Sequence, residues 1–122
     1  MEIKNYVLGE WISGEGTEID HIHAITGEII STTSSNGLDF SSILEYGRKK
    51  GSSALRKMTF QQRGEMLKSL ALHLNKRKEI FYTLSKATGA TKIDSWIDID
   101  GGIGNLFANA SLRRQFPDLP YY

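Results

Sequence analysis

The stretch Asp39 to Met58, DFSSILEYGRKKGSSALRKM, decides the fold, because here the hydrophobic period changes from two to between three and four. Phe40, Ile43, Leu44, Gly47, Gly51, Ala54, Leu55 and Met58 recur at helical spacing, and together they predict one continuous buried stripe. Asp39 is placed to cap it, since its carboxylate can accept from the free N–H groups of a first turn. Two glycines on that stripe cost about 1 kcal/mol each against alanine. They make sense where another element packs closely, or they mark a break in the helix.

Downstream the helical period persists. Thr59-Phe60-Gln61-Gln62 reads as a capping box, with Thr59 as N-cap and Gln62 reaching back to it. Phe60, Leu67, Leu70, Ala71 and Leu74 then define the buried face of a second helix. The polar run Asn75-Lys76-Arg77-Lys78 reads as a junction. A third helix carries Ile80, Phe81, Leu84 and Ala87 inward and stops at Gly89. A fourth starts near Thr91 or Asp94, carries Trp96, Ile97, Ile103, Phe107 and Ala110, and is closed by Pro117 and Pro120.

Upstream the pattern is that of strands. Tyr6, Val7, Trp11 and Ile12 flank Gly9-Glu10 as in a hairpin, and Thr17–Ile25 pairs with Glu28–Thr33 through Thr26-Gly27. Ser31 to Asn36 reads as a linker. The expected fold is therefore mostly α with N-terminal β-hairpins: residues 1–36 are hairpins and linker, and 37–122 form a helical layer. The strand–helix alternation of a complete nucleotide-binding sheet is missing.

Composition narrows the function classes. Fifteen basic residues balance fourteen acidic ones in 122, which leaves no electrostatic footprint for nucleic acid or an anionic membrane. No apolar run approaches the ~20 residues of a membrane span, and MEIKNYVLGEW lacks a signal-peptide pattern, so a cytoplasmic location is expected. The sequence contains no cysteine, which excludes disulfides, thiolate metal sites and a cysteine nucleophile within these residues.

Candidate chemistry is sparse. Asp100-Gly101-Gly102-Ile103-Gly104 suggests a dinucleotide fingerprint, but Phe107 stands where the third glycine belongs and no strand precedes the run. A helix segment with small residues where a neighbour approaches is the better reading. His21 and His23 would share a strand face, yet no third ligand lies at metal spacing. Asp94, Asp98 and Asp100 form the one close acidic set, and the helix dipole and solvation account for it better than acid–base work does. The basic runs Arg48-Lys49-Lys50 and Lys76-Arg77-Lys78, with Arg113-Arg114, read as solvated helix faces. No catalytic, cofactor-binding or metal-binding residue is assigned.

In order along the chain, these residues resemble a known family. Tyr6-Val7-Leu8-Gly9-Glu10-Trp11 resembles the opening hairpin of aldehyde dehydrogenases, and Thr26-Gly27-Glu28 a later segment of the same proteins. Arg63 with Leu67, and then Thr88-Gly89, fall in step with that superfamily. The runs Ala54–Phe60, Thr88–Thr91 and Asp94–Gly104 are denser and look like the N-terminal region of the bifunctional phenylacetate-degradation proteins of the PaaZ family. The resemblance spans about Tyr6 to Leu112. It implies an N-terminal, cofactor-domain subdomain of an enzyme that oxidises a ring-opened CoA semialdehyde with NADP (or NAD), next to a ring-opening hydratase-like domain.

By the same resemblance, the nucleophilic cysteine, general-base glutamate, oxyanion-hole asparagine and cofactor lysine lie outside this sequence. The chain alone is then expected to bind no cofactor and to be inactive. Its expected partner is the remainder of the dehydrogenase domain or a second copy of itself, with no nucleic acid and no membrane. Asp98 falls where some relatives help bind a structural monovalent cation. His21 stands where the partner threonine is common, so no site is assigned there. An autonomous helical protein-interaction module without catalysis is the alternative.

Overall fold

The structure is a computed structural model that describes residues 1–121. The chain divides into two compact units, Met1–Ser53 and Ala54 onward. The first therefore takes in the first helix as well as the strands.

In the first unit, β1 (Glu2–Ile3), β5 (Ile29–Thr33) and β4 (Ile19–Ile22) form a sheet in that order, with β1 parallel to β5 and β4 antiparallel to it. β1 is too short to show a period, and the sequence pattern did not reveal it. β2 (Asn5–Val7) and β3 (Glu10–Ile12) make a separate hairpin in which Tyr6 faces Trp11 and Val7 faces Glu10. The turn is thus Leu8-Gly9, one residue earlier than expected, with φ of 56° and 94°. Positive φ at both central residues suits the right-handed twist of a two-residue hairpin. The register follows the aromatic pair: the Tyr6 and Trp11 rings lie 5.0 Å apart across the strands.

The β4–β5 connection turns at Gly27 (φ 74°), whose N–H donates to the His23 carbonyl at 2.9 Å. The segment expected to be a linker is instead part of the scaffold. Ser31 to Thr33 belong to β5, and Ser31 and Ser34 are buried. Ser34 Oγ donates to the Glu15 carbonyl at 2.9 Å and accepts from the Asn36 N–H. Asn5 Nδ2 donates to the Ser34 carbonyl at 2.7 Å. A Cβ at Gly14 would lie 2.2 Å from that same carbonyl oxygen, so the backbone approaches too closely there for any side chain.

Asp39 caps α1 (Phe40–Tyr46), its carboxylate accepting from the Ser41 and Ser42 N–H groups at 3.0 and 3.1 Å. The Ser42 hydroxyl adds a further bond, and together they hold the Asp39 carboxyl below the usual range. The expected single α-helix is interrupted. Gly47–Ser52 is π-helical, and α2 (Ser53–Lys57) follows. A π turn adds a residue per turn and rotates the stripe. An added Cβ at Gly47 or Gly51 would meet nothing within 4 Å, so these glycines accompany the break and not a close neighbour.

The second unit is helical: α3 (Phe60–Asn75), α4 (Lys78–Ala87) and α5 (Lys92–Ser111), then a 3₁₀ turn, Leu112–Gln115. Both α3 and α5 start in capping boxes, Thr59 with Gln62 and Thr91 with Asp94. The latter settles which of the two proposed starts is right, with Thr91 as the cap. α5 ends at Ser111, before either proline, and it is the 3₁₀ turn that closes it.

α3 packs on α5 through small residues. Ala71 and Ala110 are buried with Ile103, and Gly64 is buried beside them. Behind the 3₁₀ turn the chain returns to the start of α3. Phe116 stacks on Phe60 at 4.6 Å, Gln61 Nε2 donates to the Arg113 carbonyl at 2.8 Å, and Arg63 donates to the Pro120 carbonyl at 3.0 Å. The Arg63 guanidinium also lies over the Phe60 ring.

Glycine substitutions separate close packing from open surface. A Cβ at Gly64 would sit 2.5 Å from Arg113 Cδ and 3.0 Å from the Ala110 carbonyl oxygen, whereas at Gly101 it would meet nothing within 4 Å. Gly64→Ala is expected to destabilise by about 1–3 kcal/mol despite its better helix propensity, and Gly101→Ala to stabilise by up to about 1 kcal/mol. Urea unfolding followed by circular dichroism checks the two signs.

Candidate functional site

The residues that the sequence singles out separate in the structure. Asp100 to Gly104 lies in the middle of α5, so the backbone N–H groups of its glycines belong to the helix ladder and cannot cradle a phosphate. Among the described residues nothing approaches Gly101, Gly102 or Gly104 either, so no close contact within this chain accounts for these small residues. On these observations the residues do not fit a dinucleotide.

His21 and His23 do not act as a pair. β4 ends at Ile22 with an irregularity after His21. His23 Nδ1 accepts from the Ile25 and Thr26 N–H groups at 3.2 and 3.4 Å, which ties that ring into the turn. His21 Nε2 is enclosed and has no hydrogen-bond partner among the described residues. No group of three metal-ligating side chains converges among those residues. Asp98 belongs to the other unit from His21.

The three aspartates in the first half of α5 have three separate roles. Asp94 completes the capping box, accepting from Thr91 Oγ1 at 2.6 Å. Asp98 borders a groove of about 520 Å³ walled by Leu74, Phe81, Leu84, Ile103 and Leu106. Asp100 joins two helices. Its Oδ1 accepts from Lys78 Nζ at 2.7 Å and its Oδ2 from the Tyr82 hydroxyl, both on α4. A third tie between the helices, Ser85 to Ser95, spans 2.8 Å with Ser95 fully buried.

This cluster is the one element of the site that sequence reading missed. From the sequence, Lys78 reads as part of a solvated junction and Asp100 as a solvated acid near a helix start. The available signal was the helical spacing of Lys78 and Tyr82, which puts both on one face of α4. Their partner lies 22 and 18 residues away, so local spacing does not show it.

Electrostatics define what the cluster can do. The bond from Lys78, and then that from Tyr82, hold the Asp100 carboxyl below the usual range. The bond to Asp100 pushes the Tyr82 phenol up to about 12. A carboxylate that stays ionised and a phenol that stays protonated do not exchange protons near neutral pH. Ser85 and Ser95 bond each other and not a base. The arrangement clamps α4 to α5.

Over 104 residues, 84% of this chain is 38% identical to the 3,4-dehydroadipyl-CoA semialdehyde dehydrogenase of Aromatoleum evansii. The similarity supports the aldehyde dehydrogenase family. The match covers 20% of that protein, so the chain spans about a fifth of the relative's length. No protein-family model matches the chain. Among the described residues, no helix is long and apolar enough to cross a membrane.

The clamp has a pH signature. A phenol with a raised folded pKa supports stability fully below its ordinary 10.0, and that contribution fades as pH climbs toward about 12. The depressed Asp100 carboxyl contributes above its ordinary 3.8 and loses its contribution as pH falls below that value. Ultraviolet titration is expected to show one of the five tyrosines ionising near pH 12, and Asp100→Asn to return it toward 10.0.

Proposed function

We propose that this chain is a scaffold segment of an NAD(P)-dependent aldehyde dehydrogenase of aromatic, phenylacetate-type catabolism, whose whole acts on a ring-opened CoA semialdehyde. The observation that carries the reading is the 38% identity spread over 84% of the chain, to a protein named as a CoA semialdehyde dehydrogenase. The helices form an outer layer, and the residues that do the chemistry come from elsewhere in the parent protein. Aldehyde oxidation of this kind needs a thiolate nucleophile, and this sequence has no cysteine to supply one.

Burial supports the scaffold role. The buried hydrophobic residues among those described are Ala71, Ile103 and Ala110, while Ile93, Trp96 and Ile97 on α5 are 69%, 60% and 59% exposed. Large apolar side chains left open along one helix mark a surface made to be covered. An autonomous module would hold such residues in its own core.

Complementation tests the reading. The Aromatoleum evansii enzyme, shortened by the fifth that matches this chain, is expected to be insoluble or inactive and to recover semialdehyde oxidation when this chain is co-expressed. Full activity of the shortened enzyme without it would sink the proposal. The purified chain alone is expected to show no NADP-dependent aldehyde oxidation above background, measured at the nicotinamide absorbance.

A further inference from the structure

A second groove, of about 810 Å³, is lined by a different face of α4 and by the first turns of α5. Its walls have an order. Lys78, Tyr82 and Lys86 lie at successive turns of α4, and Lys92, Ile93 and Trp96 come from α5. The two walls are held by the Asp100 clamp and the Ser85–Ser95 bond, so the groove is preorganised.

Its charges are unequally satisfied. Asp100 neutralises Lys78 at one end. The ion pairs among the described residues engage Lys49, Lys78 and Arg113, and neither Lys86 nor Lys92 takes part in one. The acid in the lining, Glu79, stands one residue from Lys78 at the start of α4, toward the neutralised end. Trp96 and Tyr82 lie between the ends, with Trp96 open to solvent. The volume is that of a small-molecule site, and ammonium groups beside an aromatic face suit a ligand with a charged group and a ring.

We infer that this groove binds a small phosphorylated ligand carrying a planar ring, with its phosphates at Lys86 and Lys92 and its ring against Trp96. A nucleoside diphosphate is the simplest representative. The recognition differs from a glycine-loop site: the positive charge comes from side chains and not from free N–H groups, so it is expected to weaken with salt. The groove lies wholly within the second unit and needs nothing beyond the described residues. It shares Ile93 and Trp96 with the face that the scaffold proposal has covered, so the test is made on the separate chain, where both are open.

Trp96 provides the readout. Trp11→Phe leaves Trp96 as the one tryptophan of the chain, which has two. ADP is expected to quench its fluorescence saturably, and adenosine to do so at least roughly tenfold more weakly for want of the charge-assisted bonds. Lys86→Ala and Lys92→Ala are each expected to weaken ADP by about fivefold, while Lys86→Arg and Lys92→Arg retain it. Absence of quenching by ADP overturns the inference. So does quenching that is indifferent to both alanine substitutions, or pyrophosphate displacing ADP with equal affinity, since the ring would then contribute nothing.

Discussion

Gly64 lacks a side chain, and the packing of the second unit depends on that. Its Cα faces the Ala110 backbone and the Arg113 stem, which lets α3 and α5 close with alanines as their buried contacts. Close approach brings Arg113 within 2.6 Å of Glu65 and aligns its carbonyl with Gln61. The start of α3 then holds the returning segment through Phe60, Gln61 and Arg63. Small residues allow near contact, and near contact lets polar bonds form at its edge. α4 is attached differently, by the Asp100 and Ser95 bonds to α5. One interface is set by shape and the other by hydrogen bonding.

The first unit shows the same economy of apolar burial. Its buried side chains are Ser31 and Ser34, and Ser34 unites the Glu15 backbone, Asn36 and Asn5. A buried hydroxyl with all its partners is stable, although it adds little net energy. The isoleucines of β4 and β5 remain largely open. A sheet this small has two edges for three strands and limited area to bury.

What could be read from the residues follows the range of the forces involved. Capping boxes involve four consecutive residues, and both Thr59–Gln62 and the Thr91 start appear where local rules place them. The helix junction at Lys76 and Arg77, and the two strand pairings, are equally local. The Leu8-Gly9 turn was displaced by one because the aromatic pair, not the glycine, sets the register. Gly64 and the Asp100 clamp were missed for a different reason: each is defined by a residue from 18 to 49 positions away. No periodicity shows which helix will approach a glycine. Conversely, Gly47, Gly51 and Gly101 invited a packing explanation that the structure withholds.

The apolar surface of α5 connects fold to function. A helix hydrophobic around most of its circumference belongs inside a protein. α5 is covered on one side by α3 and α4, while Ile93, Trp96 and Ile97 stay open. Such side chains, only partly covered, forgo stabilisation of about 1–2 kcal/mol each relative to full burial. That loss is large against the 5–15 kcal/mol by which domains are typically stable. A sequence that retains it on the helix carrying Asp94 to Gly104 is suited to a larger body that covers this face. The clamp supports the same view, because it fixes α4 to α5 with polar bonds and leaves their apolar residues to be met from outside. Trp96 stands at the border of the two environments, with the lysine-lined groove on one side and the open isoleucines next to it in sequence. Ile93 belongs to both, so a body that covers the apolar face also narrows access to the groove.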